Sequence, residues 1–397
     1  MISSFDIISE MSNTAISERR EPPQQGNRVL RVYEGFGKPP VDSLSWFIGN
    51  MAGNTKQNEA IADLFRANGF HIVEGGNFNT SNSLEFSISD DSQVNEHIRD
   101  LEVARKVGID MPRFFAPEEA ISVSGPLVAK LPGSARGEDK FILKNKDQKT
   151  KFIAWALMNQ NLGDLYDQKN RDEIVQRILS KVSEGDFKDP FIDERGWLDS
   201  WLFEEYINPP GEYNTSFRVV ADALGDVIYS QVARSDAQKE AERLPTPETH
   251  YPVLEQISIP GNSFFLLLLH PDSPFYISPT KFFSNVASGG KPLLLNGKPV
   301  VDQLDRKILE DLDINPDEPE LPQQLSETTS AIGREYRRYF PHVGVDFMKR
   351  SDNGKFVLLE VNKGPNLRPE ALGLPAETPP EQSELELLRR IIAKLPS

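Results

Sequence analysis

The chain has 397 residues, enough to bury a substantial core and to form two or three lobes. With 38% hydrophobic and 26% charged residues it reads as globular rather than disordered, and a formal net charge of −16 argues against a nucleic-acid backbone as the main ligand. No cysteine is present, which excludes disulfides, thiolate metal sites and a cysteine nucleophile and fits a cytoplasmic location.

Residues 1–27 end in ERREPPQQGN and read as a polar tail or lead-in. They carry no basic segment followed by a long apolar run, and no apolar stretch in the chain reaches the ~18 residues of a membrane span, so the expectation is a protein neither secreted nor membrane-embedded. NRVLRVYEG is a predicted strand, NTKQNEAIADLFRANGF a helix with Ile61, Leu64 and Phe65 at helical spacing and Gly69 as its stop, and HIVEGG a short buried strand. Strand, helix and strand in that order suggest a parallel α/β lobe over residues 28–117. SQVNEHIRDLEVARKV extends it as a helix ended by Gly108 and Pro112.

Residues 118–208 read as a second lobe. PLVAK and KFILK are strands flanking LPGSARGED, a loop whose Gly133, Ser134 and Gly137 let backbone N–H groups approach an anion, with Arg136 among them. The loop lacks the Walker spacing, and taken alone it is also a plain turn. Lys130 leaves an apolar strand, where an unpartnered ammonium is costly, and is placed to reach a phosphate. KFIAWALM and RDEIVQRILSKV are helical, and LFEEYI, stopped by Asn208-Pro209-Pro210, reads either as a plain strand or as a hinge between lobes whose main-chain groups can meet an adenine edge.

In residues 209–397, FRVVADALGDVIYSQVARS is a hairpin with Arg218 and Arg234 at strand ends, either a bidentate carboxylate or phosphate site or two structural arginines. Residues 236–262 are a surface excursion, FFLLLLH an apolar strand, and Asn285 precedes the pair Gly289-Gly290, again a ligand contact or a turn. The acidic, proline-containing stretch 303–322 reads as a loop, LSETTSAIGREYRRYFPH as a helix, and PPEQSELELLRRIIAKL as a terminal helix with Ser383 and Glu386 in capping-box register.

Between those two helices lies VGVDFMKRSDNGKFVLLEVNKGPNL. Asn353-Gly354 is a strong hairpin signal, so two antiparallel strands are expected. Glu360 and Asn362 share one face of their strand by the two-residue period, and a hairpin can bring Asp346 to the same face. A lone D…E…N pattern also describes the solvent side of an amphipathic hairpin. Converged, two carboxylates and an amide are hard oxygen ligands suited to Mg²⁺ on nucleotide phosphates.

The order of these parts, namely lysine strand with glycine loop, acidic hinge strand, two arginines, asparagine before a glycine pair, then D…ExN, resembles the ATP-grasp superfamily, in particular its glutathione synthetase and ribosomal-protein glutamate ligase branch. The similarity spans residues 95–367. It implies an α/β architecture of α+β lobes, with an N-terminal parallel lobe followed by two lobes clasping ATP. It also implies an ATP-dependent, ADP-forming carboxylate–amine ligase working through an acylphosphate. Lys130 and the loop with Gly133, Ser134, Arg136 and Gly137 would hold the phosphates; Glu204, Glu205, Tyr206 and Ile207 would line the adenine pocket, with Glu212 on the ribose. Arg218, Arg234, Asn285 and Gly290 would serve the reacting groups, and Asp346, Glu360 and Asn362 would hold two Mg²⁺ ions, with Mn²⁺ as a substitute.

The implied partners are small-molecule or peptide carboxylates and amines, with room for a homo-oligomer and none for nucleic acid or membrane. Departures from the family pattern are NEHIRD, with His97 and Arg99 where a lysine is usual, Phe283 in place of an arginine, and Lys363 after the asparagine. They keep two further readings open: a phosphotransferase on the same fold, and a non-catalytic ATP-binding protein.

Overall fold

In the computed structural model the residues described are 28–33, 64, 67, 70–74, 84–87, 93–130, 140–158, 170–190, 192, 198, 201–238, 275–277, 291–336, 341–363 and 365–394. The tail 1–27, the loop with Gly133, Ser134, Arg136 and Gly137, the stretch 239–274, and Asn285 and Gly290 lie outside them. The fold is mixed α and β, and the chain divides into two compact units. The smaller comprises Met1–Asp90, Arg337–Tyr339 and Glu384–Ser397, the larger Asp91–Tyr336 and Phe340–Ser383.

The smaller unit holds strands β1 (Arg28–Tyr33), β2 (Phe70–Glu74) and β3 (Leu84–Ser87) in a parallel sheet of order β2-β1-β3. Leu64 and Ala67, within the helix predicted between β1 and β2, are helical. Parallel neighbours require a crossover connection, and the 36 residues between β1 and β2 supply the length for one.

In the larger unit, helix α1 (Gln93–Val107) stops at Gly108, whose φ of +76° is the left-handed conformation of a helix terminus. A four-stranded sheet of order β4-β7-β5-β6 follows, built from β4 (Phe114–Phe115), β5 (Leu127–Lys130), β6 (Lys140–Leu143) and β7 (Leu202–Glu205), with a short helix α2 (Pro117–Ser122) between β4 and β5. Helices α3 (Lys146–Leu157) and α4 (Arg171–Ser183) cover one face of this sheet. Asn145 caps α3 by accepting from Gln148 N at 3.0 Å. The run FIAWALM makes α3 apolar all round, and it is buried: Phe152 meets Trp201 edge-on at 4.9 Å and Phe203 at 6.0 Å. Each such ring removed from water contributes about 1.5–3 kcal/mol.

Lys149, fully buried on α3, donates to the carbonyls of Val123 and Gly125 at 2.5 and 2.6 Å, and burial lowers its pKa. It anchors the turn that leads into β5.

A five-stranded antiparallel sheet completes the unit, in the order β10-β9-β8-β11-β12. Its strands are β8 (Tyr213–Asp222), β9 (Val227–Gln238), β10 (Lys291–Leu294), β11 (His342–Lys349) and β12 (Phe356–Lys363). Helix α5 (Gln303–Asp311) corrects the loop expected over 303–322: Asp302 caps it through Asp305 N, and Ile308 and Leu309 are buried. Ile308, Leu309 and the Asp305 carboxylate, which accepts from Arg234 of β9, fix it to the sheet, while Glu310 is exposed. Helix α6 (Gln323–Tyr336) lies on the same face, with Gly333 closing on Asp222 O and Ala221.

The last helix, α7 (Pro380–Lys394), begins three residues before the predicted cap. Pro380 occupies its first position, where a missing N–H costs nothing, and Ser383 is buried inside it rather than capping it.

Candidate active site

The polar constellation sits on β8, β9, β11 and β12, on the face turned away from α5 and α6. Phe217, Val219, Val232, Val345 and Phe347 point to the helical side and are fully buried, so the alternate residues form the other face. On it, four residues stand directly opposite one another across the strands: Gln231, Arg218, Asp346 and Glu360. Arg218 donates to both Asp346 oxygens, Nε at 2.7 Å and Nη2 at 2.6 Å, and this pairing raises the guanidinium pKa further. Asn362 Nδ2 donates to Asp346 Oδ2 at 2.9 Å and to Glu360 Oε1 at 3.4 Å.

A β-bulge creates this row. From the turn inward, Lys349 pairs with Phe356 and Phe347 with Leu358; the next step pairs Asp346 with Glu360, leaving Leu359 extra. In an unbulged register Asp346 would face Leu359, and Glu360 and Asn362 would fall on the helical side. The bulge also changes which amides point off the edge of β12. Val361 N donates to Asp100 Oδ2 of α1 at 3.4 Å, and Leu358 N to Asp110 O at 2.9 Å. Tyr336 Oη donates a short hydrogen bond to the other oxygen of Asp100. A buried carboxylate thus accepts the amide between Glu360 and Asn362.

The hairpin turn forms as predicted. Arg350 N donates to Lys355 O, Gly354 has φ +69°, and Asn353 Oδ1 accepts from Lys355 N at 2.9 Å.

Arg218 and Arg234 do not share a face. Arg218 is opposite Gln231, three residues from Arg234, so the two-residue period sends Arg234 to the helical side. There it is buried and donates to Asp305 Oδ1 of α5 at 2.7 Å. Glu212 is exposed and pairs with Lys307 at 3.1 Å.

In the four-stranded sheet, Lys130 and Glu204 lie on the face away from the aromatic cluster and form a close, buried ion pair. Glu205 receives both Arg350 guanidinium nitrogens at 2.7 Å, and that pairing lowers its pKa. Tyr206 Oη donates to Asn214 Oδ1 at 2.8 Å, its pKa raised by burial, and Ile207 is buried. Asn208 O accepts from Ser351 N at 2.9 Å. The end of β7 is therefore stitched to the β11–β12 turn and to the start of β8, which joins the two sheets at one end.

Arg350, Asp100, Tyr229 and Arg368 are residues the sequence reading passed over. Arg350 stands beside the asparagine–glycine turn, a signal of position only; Asp100 and Arg368 carry none, since their roles depend on the bulge and on the chain's return after Asn362. His342 at the start of β11 is buried with Nε2 2.8 Å from Pro365 O, and burial lowers its pKa to about 4. Pro365 packs on Gly344, where a Cβ would stand 2.9 Å from its Cγ.

The donor set of Asp346, Glu360 and Asn362 is all oxygen and amide, while the imidazole of His342, four residues before Asp346 on the same face of β11, is buried and engaged with Pro365 O. Two carboxylates directly opposite, bridged by a carboxamide, fit a hard divalent cation such as Mg²⁺. Among the described residues no helix is long and apolar enough to cross a membrane.

No protein-family model and no curated protein matches the sequence. Solved structures do resemble the fold. A D-alanine–D-alanine ligase from Bacillus anthracis complexed with ATP is 11% identical, covers 94% of this chain and 98% of its own, and gives a TM-score of 0.32. A Chryseobacterium gregarium RiPP-associated ATP-grasp ligase in complex with ADP and peptides is 10% identical over 94% and 98%, with a TM-score of 0.36. The D-alanyl-alanine synthetase A of Vibrio cholerae is 10% identical over 94% and 100%, also at 0.36. The likeness is loose, and what the site can do follows from its own residues.

Proposed function

We propose that the chain is an ATP-dependent ligase of the ATP-grasp kind, activating a carboxylate as an acylphosphate and passing it to an amine. The observation that carries this is the row Arg218–Asp346–Glu360 with Asn362 bridging its carboxylates, on the face away from the helices. Arg218 offsets the charge of Asp346, but Glu360 stands directly opposite that carboxylate with only the Asn362 amide between them, and a bound cation would relieve their repulsion. Magnesium bound by Asp346, Glu360 and Asn362, two ions with manganese as a substitute, would supply neutralisation of the transferring phosphoryl charge.

The protein's own groups do the rest. Lys130 serves as a point charge for ATP phosphates, releasing Glu204 as it does so, and the loop with Gly133, Ser134, Arg136 and Gly137 excludes water from the acylphosphate. The strand end from Glu204 to Ile207 borders the adenine, and Arg218 holds the acid's carboxylate in line for attack on the γ-phosphorus. ADP leaves; the amine then attacks the acyl carbon and phosphate leaves. Asn285 and Gly290 belong to the same proposal as backbone or amide contacts to the reacting group, whereas Arg234, tied to α5, supports the sheet behind it.

The test is ADP release with Mg²⁺ across a panel of amino acids and carboxylates, with and without amine. Wild-type chain is expected to release ADP in an acid- and amine-dependent manner, and Glu360→Gln to lose at least about a hundredfold while keeping its circular dichroism. Full turnover by Glu360→Gln removes the metal assignment. Turnover that ignores the amine favours a phosphotransferase.

A further inference from the structure

A cavity of about 580 Å³ opens at one end of the five-stranded sheet, lined among others by Tyr229, Leu295, Lys298, Leu321, Arg368 and Glu370. It adjoins the row already described. Gln231, directly opposite Arg218, accepts from Arg368 Nη2 at 2.7 Å, and Tyr229 lies two residues along the same strand, about 7 Å from the row.

Arg368 is positioned by neutral groups and keeps donors to spare. Its guanidinium lies over the Tyr229 ring at 5.7 Å, and that ring is fixed by its hydroxyl donating to Asn366 O at 3.0 Å. Its hydrogen-bond partners, Gln231 and the Tyr229 hydroxyl, are neutral, and among the described residues no carboxylate pairs with it. A guanidinium has five donors in a fixed fork, so most of its donors remain for another group. Lys298 adds a second positive charge and Glu370 a negative one, which leaves the lining with a net charge of +1.

The rest of the lining is mainly aliphatic, and the volume would hold roughly twenty waters at ~30 Å³ each. That is far more than a bare phosphate or acetate needs and far less than a folded partner. It matches an amino-acid to dipeptide-sized ligand.

We propose that this cavity binds a monocarboxylic acid with an apolar body, its carboxylate on the Arg368 fork and its hydrocarbon against Leu295 and Leu321. Placing that acid as the ligase's carboxylate substrate rests on the function proposed above; the binding itself does not. Arg368 is then a specificity-determining residue that presents the acid beside Arg218.

The probes are N-acetyl-L-leucine and hexanoate, each against its own amide, titrated into the full chain without nucleotide and followed by calorimetry and saturation-transfer NMR. The acids are expected to bind at least about tenfold more tightly than the amides, since a charge-assisted bidentate contact is lost with the carboxylate. Arg368→Gln is expected to erase that difference, Arg368→Lys to retain part of it, and Leu321→Trp to weaken acid and amide alike by filling the cavity, with circular dichroism confirming that each variant folds. Equal binding of acid and amide, unchanged selectivity in Arg368→Gln, or no saturable binding up to about 10 mM overturns the proposal. Arg368-dependent binding in a chain that never hydrolyses ATP would sink the ligase reading and leave the pocket standing. Amine-dependent ADP release with no acid selectivity at Arg368 would do the reverse.

Discussion

The Arg218–Asp346 pair links the two central strands of the candidate site, and a double-mutant cycle measures how strongly. Arg218→Met and Asp346→Asn each remove one partner; the double variant removes both. Two charge-assisted hydrogen bonds at 2.6 and 2.7 Å would contribute about 1.5–3 kcal/mol each if fully buried. The arginine side chain is 31% exposed and the aspartate 13%, so water screens part of that. The expected coupling is about 2 kcal/mol, roughly thirtyfold in the local opening equilibrium.

Because the chain has two compact units, one global unfolding midpoint does not report this. Native-state hydrogen exchange of the peptide covering residues 342–363 does, through the protection of the β11 and β12 amides. Each single variant is expected to lose protection, and the double variant to lose much less than the sum. Strictly additive losses would show that the pair contributes nothing and that the strands are held by backbone and core alone.

Lys130→Ala is expected to weaken ATP binding at least tenfold by calorimetry, and the control Lys130→Ala/Glu204→Gln, which leaves no buried charge unpaired, should fold as well as wild type yet bind no better; unchanged affinity in both dismisses the phosphate role. Asp100→Asn and Tyr336→Phe should each lower Mg²⁺ affinity about tenfold by loosening the amide between Glu360 and Asn362, read as a shifted Mg²⁺ dependence of ADP release at unchanged ATP affinity.

His342 is held neutral to about pH 4, against 6.5 when unfolded, so the unfolded chain alone takes up its proton between those values. Stability from this group is complete above pH 6.5 and is lost as pH falls towards 4, by about 3 kcal/mol in all; His342→Gln should flatten that part of the pH profile of hydrogen-exchange protection over residues 342–363.

Most elements of the fold are legible in the sequence because short-range physics writes them there. The asparagine–glycine turn, Gly108 after an amphipathic run, and the apolar strands PLVAK, KFILK and FRVVAD each announce themselves by local conformation or period. Where local signals conflict, the sequence misleads. Residues 303–311 look like an acidic loop until Ile308 and Leu309 find a sheet to cover, and Ser383 looks like a cap until Pro380 starts the helix earlier.

For the site, the sequence by itself determined which residue types are available, and that Glu360 and Asn362 share a side of one strand. It did not determine that Asp346 joins them. That follows from one extra residue, Leu359, which shifts the register by one and turns the far half of the strand over, with Asp100 and Asp110 receiving the displaced amides. The same register separates Arg234 from Arg218, and the chain's return after Asn362 lays Arg368 on Tyr229. A period of two is a local property, but the phase between two strands is set by every contact along the sheet, and only the folded chain contains it.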